Sequence, residues 1–306
     1  MDVQFGLASL SPSWDGAIVC IGTFDGVHLG HQEVVKTAVE HASKRELPCV
    51  VVTFDRHPAA TLAPELEPCS LCNLNQKLGL LASLGVSTTI VFAFDKSFSE
   101  TEADVFYEQV LVRTLKSAQL VVGHDFAFGK GRKGSGEWLA ERIATVIVPP
   151  VELEGLRVSS SAIRTLVLQG QIDQVKLRLG RPHALSGVVC AGQRLGRKLG
   201  FPTINVRPTG RICAPKNGIY AGKAITKLGE FIAAISIGVR PTVGGLGPTI
   251  EAHLLDYPGD SLYGQSVCLE FDAWIRPEEK FASLEELKAH IGKDIVTIRG
   301  LMNPSL

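Results

Sequence analysis

The order of strand-like and helix-like segments constrains this fold most, because it changes abruptly near residue 181. Before that point, short apolar runs alternate with stretches whose apolar residues repeat every three or four positions. The strand-like runs are AIVCI (17–21), CVVVTF (49–54), TTIVFAF (88–94), LVVG (120–123) and ATVIVP (144–149), and the helix-like stretches are 31–47, 73–84, 102–117 and 137–143. This alternation predicts a parallel sheet covered by helices on both faces, as in doubly wound α/β folds.

A different pattern follows Arg181-Pro182. Two short helix-like segments, 160–170 and 172–180, lead up to this pair, and five strand-like segments with short turns come after it. Successive strands without helices between them predict an antiparallel barrel or sandwich. The last segment, 283–301, is helix-like, with Ser283 as its N-cap and Glu286 completing a capping box. We therefore expect two domains, 1–183 and 184–306, which suits a chain of 306 residues.

Charge and hydropathy exclude several classes of protein. Lys+Arg and Asp+Glu are balanced at 31 each, so no general positive field favours nucleic acid or an anionic membrane. The sequence shows no signal-peptide pattern and no apolar run near the ~18 residues of a membrane span.

Cys69 and Cys72 form a CxxC pair, but no second pair completes a zinc site. Four other cysteines lie in apolar strand-like runs, and we expect them to be buried thiols: Cys20, Cys49, Cys190 and Cys268. These features predict a cytoplasmic protein and make no prediction about its oligomeric state.

The stretch GTFDGVHLGH (22–31) lies between the first strand-like run and the first helix-like stretch. His28 and His31 are expected at or near the first turn of that helix, where free N–H groups and partial positive charge favour anions. Doubly wound folds bind ligands at such strand-to-helix turns. We therefore predict a phosphate site in which the imidazoles stabilise charge at an α-phosphorus. A zinc pair or two solvated histidines are the alternatives.

Three further stretches of the first half offer groups to a nucleotide. FGKGRKGSGE (128–137) matches GxGxxG and is interpreted as a basic loop over phosphates, or else as a plain surface loop. VSSSAIR (158–164) supplies hydroxyls and an arginine at a helix start, although an ordinary N-cap with a nearby arginine would look the same. FDRHP (54–58) offers a phenylalanine and a histidine to a planar ligand. A Walker motif, GxxxxGK[ST], is absent from the sequence.

The second half contains two stretches with chemistry of their own. GQRLGRKLGFPTIN (192–205) is interpreted as a glycine-rich flap whose backbone closes over phosphates. If 203–205 are extended, Thr203 and Asn205 share a face and offer the hard oxygen ligands that Mg²⁺ accepts, unless they belong to an ordinary turn. In IEAHLLDY (250–257), Glu251 lies on the face opposite the apolar residues. It is a candidate general base or, alternatively, a solvent-exposed strand glutamate.

Together these motifs resemble the bacterial bifunctional riboflavin kinase/FMN adenylyltransferase (FAD synthetase) family over residues 17–299. The resemblance also includes, in family order, HDFAFGKGRKG, RVSSSAIR, NGIY, SIGVRPT, LYG and IRPEEKF. It implies a nucleotidyltransferase-like α/β domain followed by a riboflavin-kinase β-barrel with a C-terminal helix. It further implies an enzyme that makes FMN from riboflavin and ATP, then FAD from FMN and a second ATP, with Mg²⁺.

The resemblance also assigns roles to residues. It implies that His28 and His31 act on ATP phosphates, that Glu251 is the base of the kinase, and that Mg²⁺ is held by Thr203 and Asn205. The expected ATP- and phosphate-binding residues are Gly22, Phe24, Gly30, Lys130, Arg132, Ser159, Ser160, Ser161, Arg164, Gly192, Arg197 and Gly200. The expected flavin-binding residues are Phe54, His57, Asp125, Arg276 and Phe281.

The sequence departs from the family pattern at three positions. Ser161 replaces a usual threonine and keeps its hydroxyl, and Ile204 stands between the expected magnesium ligands, pointing away from them. Ala127 replaces a frequent arginine, which removes one cation near the expected ATP site of the first half and bears on the strength of adenylyl transfer. Two other functions are a monofunctional riboflavin kinase with a vestigial first domain and a flavin- or nucleotide-binding regulator without turnover. The intact candidate residues of both halves argue against each.

Overall fold

The structure, a computed structural model, describes residues 1–6, 14–192, 196, 199–239, 248–259 and 261–303. The chain divides into two compact units, one of residues 1–70 with 74–160 and one of residues 71–73 with 161–306. This division differs from the predicted boundary near residue 183, because residues 71–73 and the helical stretch from 161 onwards belong to the second unit. The boundary at 183 stays a prediction.

The first unit contains the predicted parallel sheet. Its strands are β1 (Asp2–Phe5), β2 (Ala17–Ile21), β3 (Cys49–Phe54), β4 (Thr88–Phe92), β5 (Ser117–Gly123) and β8 (Thr145–Val148). They lie in the order β1-β4-β3-β2-β5-β8, and every neighbouring pair is parallel. The order reverses on either side of β2, so the turn after β2 lies at the switch point where doubly wound sheets bind ligands. The edge strand β1 is an addition that the sequence did not predict.

Helices cover both faces of this sheet. The helices are α1 (Leu29–Lys44), α2 (Ala59–Leu62), α3 (Leu74–Ser83), α4 (Lys96–Ser99), α5 (Ala103–Val105) and α6 (Gly136–Ala140). Alternate residues of β2 point to opposite faces, so Val19 packs in one apolar core with Phe106, while Ile18 packs in another with Val35 of α1. The doubly wound α/β prediction is therefore confirmed.

Two segments of the first unit differ in detail from the sequence prediction. The expected helix over 102–117 is α5 followed by a π-helix, Phe106–Thr114, in which the Leu115 N–H donates to the Val110 carbonyl at 2.9 Å. The glycine-rich basic segment forms a two-stranded ladder of β6 (Ala127–Phe128) and β7 (Gly134–Ser135) around a 3₁₀ turn at Lys130–Arg132. A second short ladder joins β9 (Glu152–Leu153) to β10 (Leu156–Arg157).

The second unit contains a closed antiparallel barrel, as predicted. Its strands are β11 (His183–Cys190), β12 (Thr203–Pro208), β13 (Gly218–Thr226), β14 (Gly229–Val239), β15 (Pro248–Leu254) and β16 (Ser266–Arg276), in the order β11-β12-β15-β14-β13-β16. Helices α7 (Ser160–Gln169) and α8 (Ile172–Leu179) precede the barrel. Ile172 of α8 packs into the barrel core with Tyr220 and Phe271, which explains why this helix groups with the barrel.

The C-terminal helix α9 (Leu284–Met302) begins at the predicted cap. The Ser283 hydroxyl accepts from the Glu286 N–H at 3.1 Å, while the Glu286 carboxylate accepts from the Ala282 N–H at 2.9 Å. This is a capping box displaced by one residue.

The four cysteines expected in strands are free thiols: Cys20 and Cys49 are buried, and Cys190 and Cys268 are half-buried. Among the helices of the described residues, none combines the length and the apolar character that a membrane crossing requires.

Candidate active sites

The turn after β2 has a strained backbone. Phe24, Gly26 and Val27 all have positive φ, at 47°, 77° and 41°. Left-handed conformations are unfavourable for non-glycine residues, above all for a β-branched one, and cost on the order of 1–3 kcal/mol each. Phe24 and Val27 are both buried, and burial of these side chains offsets the cost. This packed turn leads directly into α1.

His28 and His31 lie at the N-terminus of α1 as predicted. His28 is the N-cap, and its Nδ1 accepts from the His31 N–H at 3.3 Å. The two rings stack with centroids 3.6 Å apart, and the Phe24 ring meets His31 edge-on at 5.4 Å. Because Nδ1 of His28 accepts a hydrogen bond, neutral His28 carries its proton on Nε2. That nitrogen is therefore a donor suited to an anionic oxygen.

Gly22 and Gly30 are the two glycines of this stretch that were predicted to bind phosphate, a contact for which the backbone must approach the ligand closely. A Cβ at Gly30 would lie 3.2 Å from Cε1 of His28 and 3.7 Å from the Val158 carbonyl, and one at Gly22 would lie 3.0 Å from the Phe24 ring. Both glycines thus leave room for the aromatic rings. Their contact with phosphate stays a prediction.

Part of the VSSSAIR stretch contacts the same turn. The Ser160 hydroxyl donates to the Asp25 carbonyl at 3.0 Å, so residues 158–160 are fastened to the turn that precedes the histidines. Ser159 directly precedes α7, while Ser161 and Arg164 lie on α7 among the residues of the second unit. Their predicted phosphate-binding role stays a prediction.

Lys77 is a feature of this site that the sequence reasoning missed. Its ammonium group donates to the Thr23 carbonyl at 2.8 Å, to the Phe54 carbonyl at 3.1 Å and to the Thr53 hydroxyl at 3.4 Å. The residue is only 7% exposed. A signal did exist, because Lys77 lies one helical turn before the buried Leu81 and thus on the apolar face of α3.

The residues expected to bind a flavin in the first unit surround an aromatic cluster. The Phe54 ring contacts Phe94 and Phe98 edge-on at 5.3 and 5.5 Å. Nδ1 of His57 accepts from the Ala59 N–H at 3.1 Å, which fixes the start of the short helix α2. The result is a half-buried aromatic surface beside the end of β3, with the apolar character that a planar ring system prefers.

Asp125, the other expected flavin residue here, follows the end of β5. Its carboxylate accepts a charged hydrogen bond from Arg157. Partial burial would raise the pKa of the Asp125 carboxyl, but the bound Arg157 guanidinium lowers that pKa below its ordinary value. Asp125 is therefore ionised at neutral pH.

The basic segment 129–133 is held by an acidic turn. Lys130 pairs with Glu100 at 2.5 Å, and Lys133 pairs with Glu102 at 3.2 Å. The backbone N–H of Lys130 also donates to the Thr101 carbonyl at 2.8 Å. Arg132 is exposed. The expected contact of Lys130 and Arg132 with ATP stays a prediction.

In the second unit, three oxygen-bearing residues meet on the outer face of the barrel. Asn205 of β12 is paired with Glu251 of β15, and the Thr203 hydroxyl donates to the Glu251 carboxylate at 3.3 Å. Ile204 points the other way and packs against the barrel core, as expected for alternating strand residues. The face therefore presents a hydroxyl, an amide and a carboxylate together.

Glycine is required beside this group for a steric reason. A Cβ at Gly192 would lie 2.2 Å from Nδ2 of Asn205, so only glycine leaves space for the Asn205 amide in this position. Gly200 has a positive φ of 87° in open space, and Arg197 lies outside the described residues. His253, the β15 neighbour of Glu251 on this face, bonds through Nδ1 to the Pro202 carbonyl at 2.8 Å.

Arg276 and Phe281, the expected flavin residues of the barrel, lie close together. The centre of the Arg276 guanidinium is 5.6 Å from the Phe281 ring centroid. The guanidinium also donates three hydrogen bonds to Asp294 of α9, of 3.0, 3.2 and 2.9 Å. Asp294 was missed, because only the tertiary structure brings it to the end of β16. Across the described part of the chain, no three His, Cys, Asp or Glu side chains are arranged to hold a metal ion.

Comparisons with known proteins cover both units. A family model described as FAD synthetase matches residues 10–162, and one described as riboflavin kinase matches residues 179–302. A bifunctional riboflavin kinase/FMN adenylyltransferase of Haemophilus influenzae is 37% identical over 99% of this chain and 100% of its own. A protein of the same description from Bacillus subtilis is 32% identical over 91% of this chain and 90% of its own. A crystal structure described as a macrolide-efflux protein from Streptococcus pneumoniae superposes with a TM-score of 0.88 and 28% identity, covering 98% and 99% of the two chains.

Proposed function

The chain belongs to the bifunctional riboflavin kinase/FMN adenylyltransferase family, and from this premise we propose how its residues divide the two reactions. The enzyme phosphorylates riboflavin with ATP to give FMN, and it adenylylates FMN with a second ATP to give FAD and pyrophosphate. The first unit carries adenylyl transfer and the barrel carries the kinase. The substrates are the small molecules riboflavin, FMN and ATP, and use of ATP supports a cytoplasmic location.

In adenylyl transfer, an oxygen of the FMN phosphate attacks the α-phosphorus of ATP as the bond to pyrophosphate breaks. The nucleophile is already anionic, so the step needs no general base. It needs donors that reduce repulsion between two polyanions and stabilise the developing charge. The stacked His28 and His31 supply such donors at the N-terminus of α1, a position that favours anions. Their stacking and capping geometry is the observation that carries this assignment.

In the kinase reaction, the nucleophile is a neutral ribityl hydroxyl, and its oxygen attacks the γ-phosphorus of ATP as ADP leaves. A carboxylate that takes the hydroxyl proton is useful there. Glu251 is the proposed base. It shares its face of the barrel with Thr203 and Asn205.

Magnesium fits the oxygen donors of this face. Mg²⁺ prefers oxygen ligands and is commonly held by one or two protein groups together with substrate phosphates. Thr203 and Asn205 are proposed to hold the ion through a hydroxyl and an amide oxygen. When bound, it would neutralise charge on the phosphates of ATP. The proposed role of the protein is to fix these two oxygens beside Glu251.

One pair of variants tests the division of labour. Glu251→Gln should abolish FMN formation from riboflavin and leave FAD formation from supplied FMN, whereas His31→Ala should do the reverse. Both products are followed by chromatography in the presence of ATP and Mg²⁺, and circular dichroism checks that each variant is folded. Loss of both reactions in either folded variant would contradict the assignment.

A further inference from the structure

Lys77 occupies a place in the first unit where a charge is costly. Its ammonium group lies beneath the carboxyl ends of two neighbouring strands, and the residue is 7% exposed. Three oxygens from the ends of β2 and β3 accept its hydrogen bonds: the Thr23 carbonyl, the Phe54 carbonyl and the Thr53 hydroxyl. An ammonium group has three donors, and each of these oxygens can accept one of them.

The stability of the fold alone does not explain why an ammonium group is buried here. Removing an ammonium from water costs several kcal/mol, and well-packed apolar side chains of similar volume are often as stable as buried charges. A methionine on this face of α3 would extend the apolar surface that Leu81 already provides. What a methionine would lack is the ability to join two strand ends through their carbonyl groups.

The strand ends that Lys77 joins both lead to proposed substrate contacts. Thr23 is the first residue of the strained turn, one position before the left-handed Phe24 and five before His28. Phe54 ends β3 and forms part of the aromatic surface. The Thr53 hydroxyl also donates to the Thr23 carbonyl at 3.2 Å, so the link between the two strand ends is doubled.

We propose that Lys77 is a positioning residue for adenylyl transfer, which holds the turn carrying His28 and His31 in register with the end of β3 carrying Phe54. This inference rests on the proposed function of the first unit. The two substrates would meet across that edge, so a shift of one strand end relative to the other would move the FMN phosphate away from the α-phosphorus. A misplacement of about 1 Å costs about 10²-fold in rate. The buried positive charge adds to the potential that favours two anions there.

The test uses the full chain and compares Lys77→Met with a matched control. Lys77→Met removes the charge and the three donors while keeping most of the volume. Gln119→Leu serves as control because Gln119 is 6% exposed, close to the 7% of Lys77, and bonds to the His41 ring at 3.0 Å. Gln119 lies near the start of β5, away from the carboxyl edge of the sheet. Riboflavin phosphorylation by the barrel in the same sample measures active protein independently.

We expect Lys77→Met to lower kcat for FAD formation from FMN about 10²-fold. KM for ATP and for FMN should change less than about threefold, because the substitution disturbs the alignment needed in the transition state and leaves ground-state binding intact. Gln119→Leu should lower the melting temperature without this fall in kcat. A kcat for Lys77→Met within about threefold of the unaltered protein overturns the proposal, as does an equal fall in Gln119→Leu.

If circular dichroism shows that Lys77→Met is unfolded, Thr53→Val decides the question. This substitution keeps the shape of the side chain but removes the hydroxyl that bonds both Lys77 and Thr23. We expect about a tenfold lower kcat, and an unchanged kcat overturns the proposal. His31→Ala separates the two levels of inference: full FAD formation in that variant defeats the proposed function of the turn together with this inference, whereas an inactive His31→Ala beside an active Lys77→Met defeats the inference alone.

Discussion

Alanine at Gly192 would disturb the kinase site through one contact. The added Cβ would lie 2.2 Å from Nδ2, 2.4 Å from Cγ and 2.5 Å from Oδ1 of Asn205. Ordinary contacts begin near 3.4 Å, so the amide must move by about 1.2 Å. Since Asn205 lies within β12, most of that movement falls on its side chain, the proposed ligand of magnesium.

A displacement of about 1 Å at a reacting centre costs about 10²-fold in rate, or about 2.7 kcal/mol of activation free energy. We therefore expect Gly192→Ala to lower kcat for FMN formation about 10²-fold, with partial recovery at high Mg²⁺ concentration. FAD formation from supplied FMN should remain unchanged, because the first unit performs it. The assay is FMN formation from riboflavin and ATP across a Mg²⁺ titration, with both products separated by chromatography.

Gly292→Ala is the matched control. Gly292 lies in the interior of α9, has no positive φ, and a Cβ there would meet no atom within 4 Å. The substitution should keep both activities and stabilise the helix by up to about 1 kcal/mol. The reasoning would be refuted if Gly192→Ala formed FMN within about threefold of the normal rate while its melting temperature matched that of the control.

Two further predictions concern the barrel. Asp294→Ala leaves the half-buried Arg276 guanidinium with only its longer ion pair, to Glu279 at 3.6 Å. The substitution should lower the free energy of unfolding by about 2 kcal/mol, less than the 3–5 kcal/mol of fully buried pairs. Urea denaturation measures this difference, and an unchanged free energy of unfolding would contradict the reasoning. Burial and repulsion from Asp272 raise the pKa of Glu270 above its usual 4.5. The folded state therefore binds this proton more tightly, and stability falls as the pH rises from 4.5 through the raised pKa. Glu270→Gln should raise the melting temperature at pH 7 by about 1–3 °C and leave it unchanged below pH 4, and an equal gain at both pH values would contradict this reasoning.

The sequence predicted the elements that periodicity determines. Buried parallel strands such as CVVVTF are continuous apolar runs, and barrel strands such as IEAHLLDY alternate, so both architectures could be recognised. The edge strand DVQF was missed because half of its four residues are polar. The π-helix over 106–114 was missed because its apolar spacing resembles that of an α-helix.

The candidate sites divide in the same way. The turn carrying His28 and His31 could be predicted, because its residues are close in sequence and the N-terminus of a helix fixes their environment. The sequence could mark Lys77 as a charge on the apolar face of α3, but it could not identify the partners of Lys77 or Asp294, since these lie in other strands or at the end of a strand. Gly192 was predicted to belong to a flap that closes over phosphates, and this role stays a prediction; the structure adds a steric reason for glycine at this position.

The positive φ of Val27 has a consequence for anyone who selects this protein for heat resistance. Glycine adopts that backbone conformation without steric cost, and strained functional positions are where stability and activity oppose each other. Val27, however, is 1% exposed, so Val27→Gly would forfeit about 1.5–3 kcal/mol of burial, as much as the strain that it relieves, and glycine loses more backbone entropy on folding. Screens that reward survival at high temperature alone will thus retain the valine, and with it the turn that carries His28 and His31.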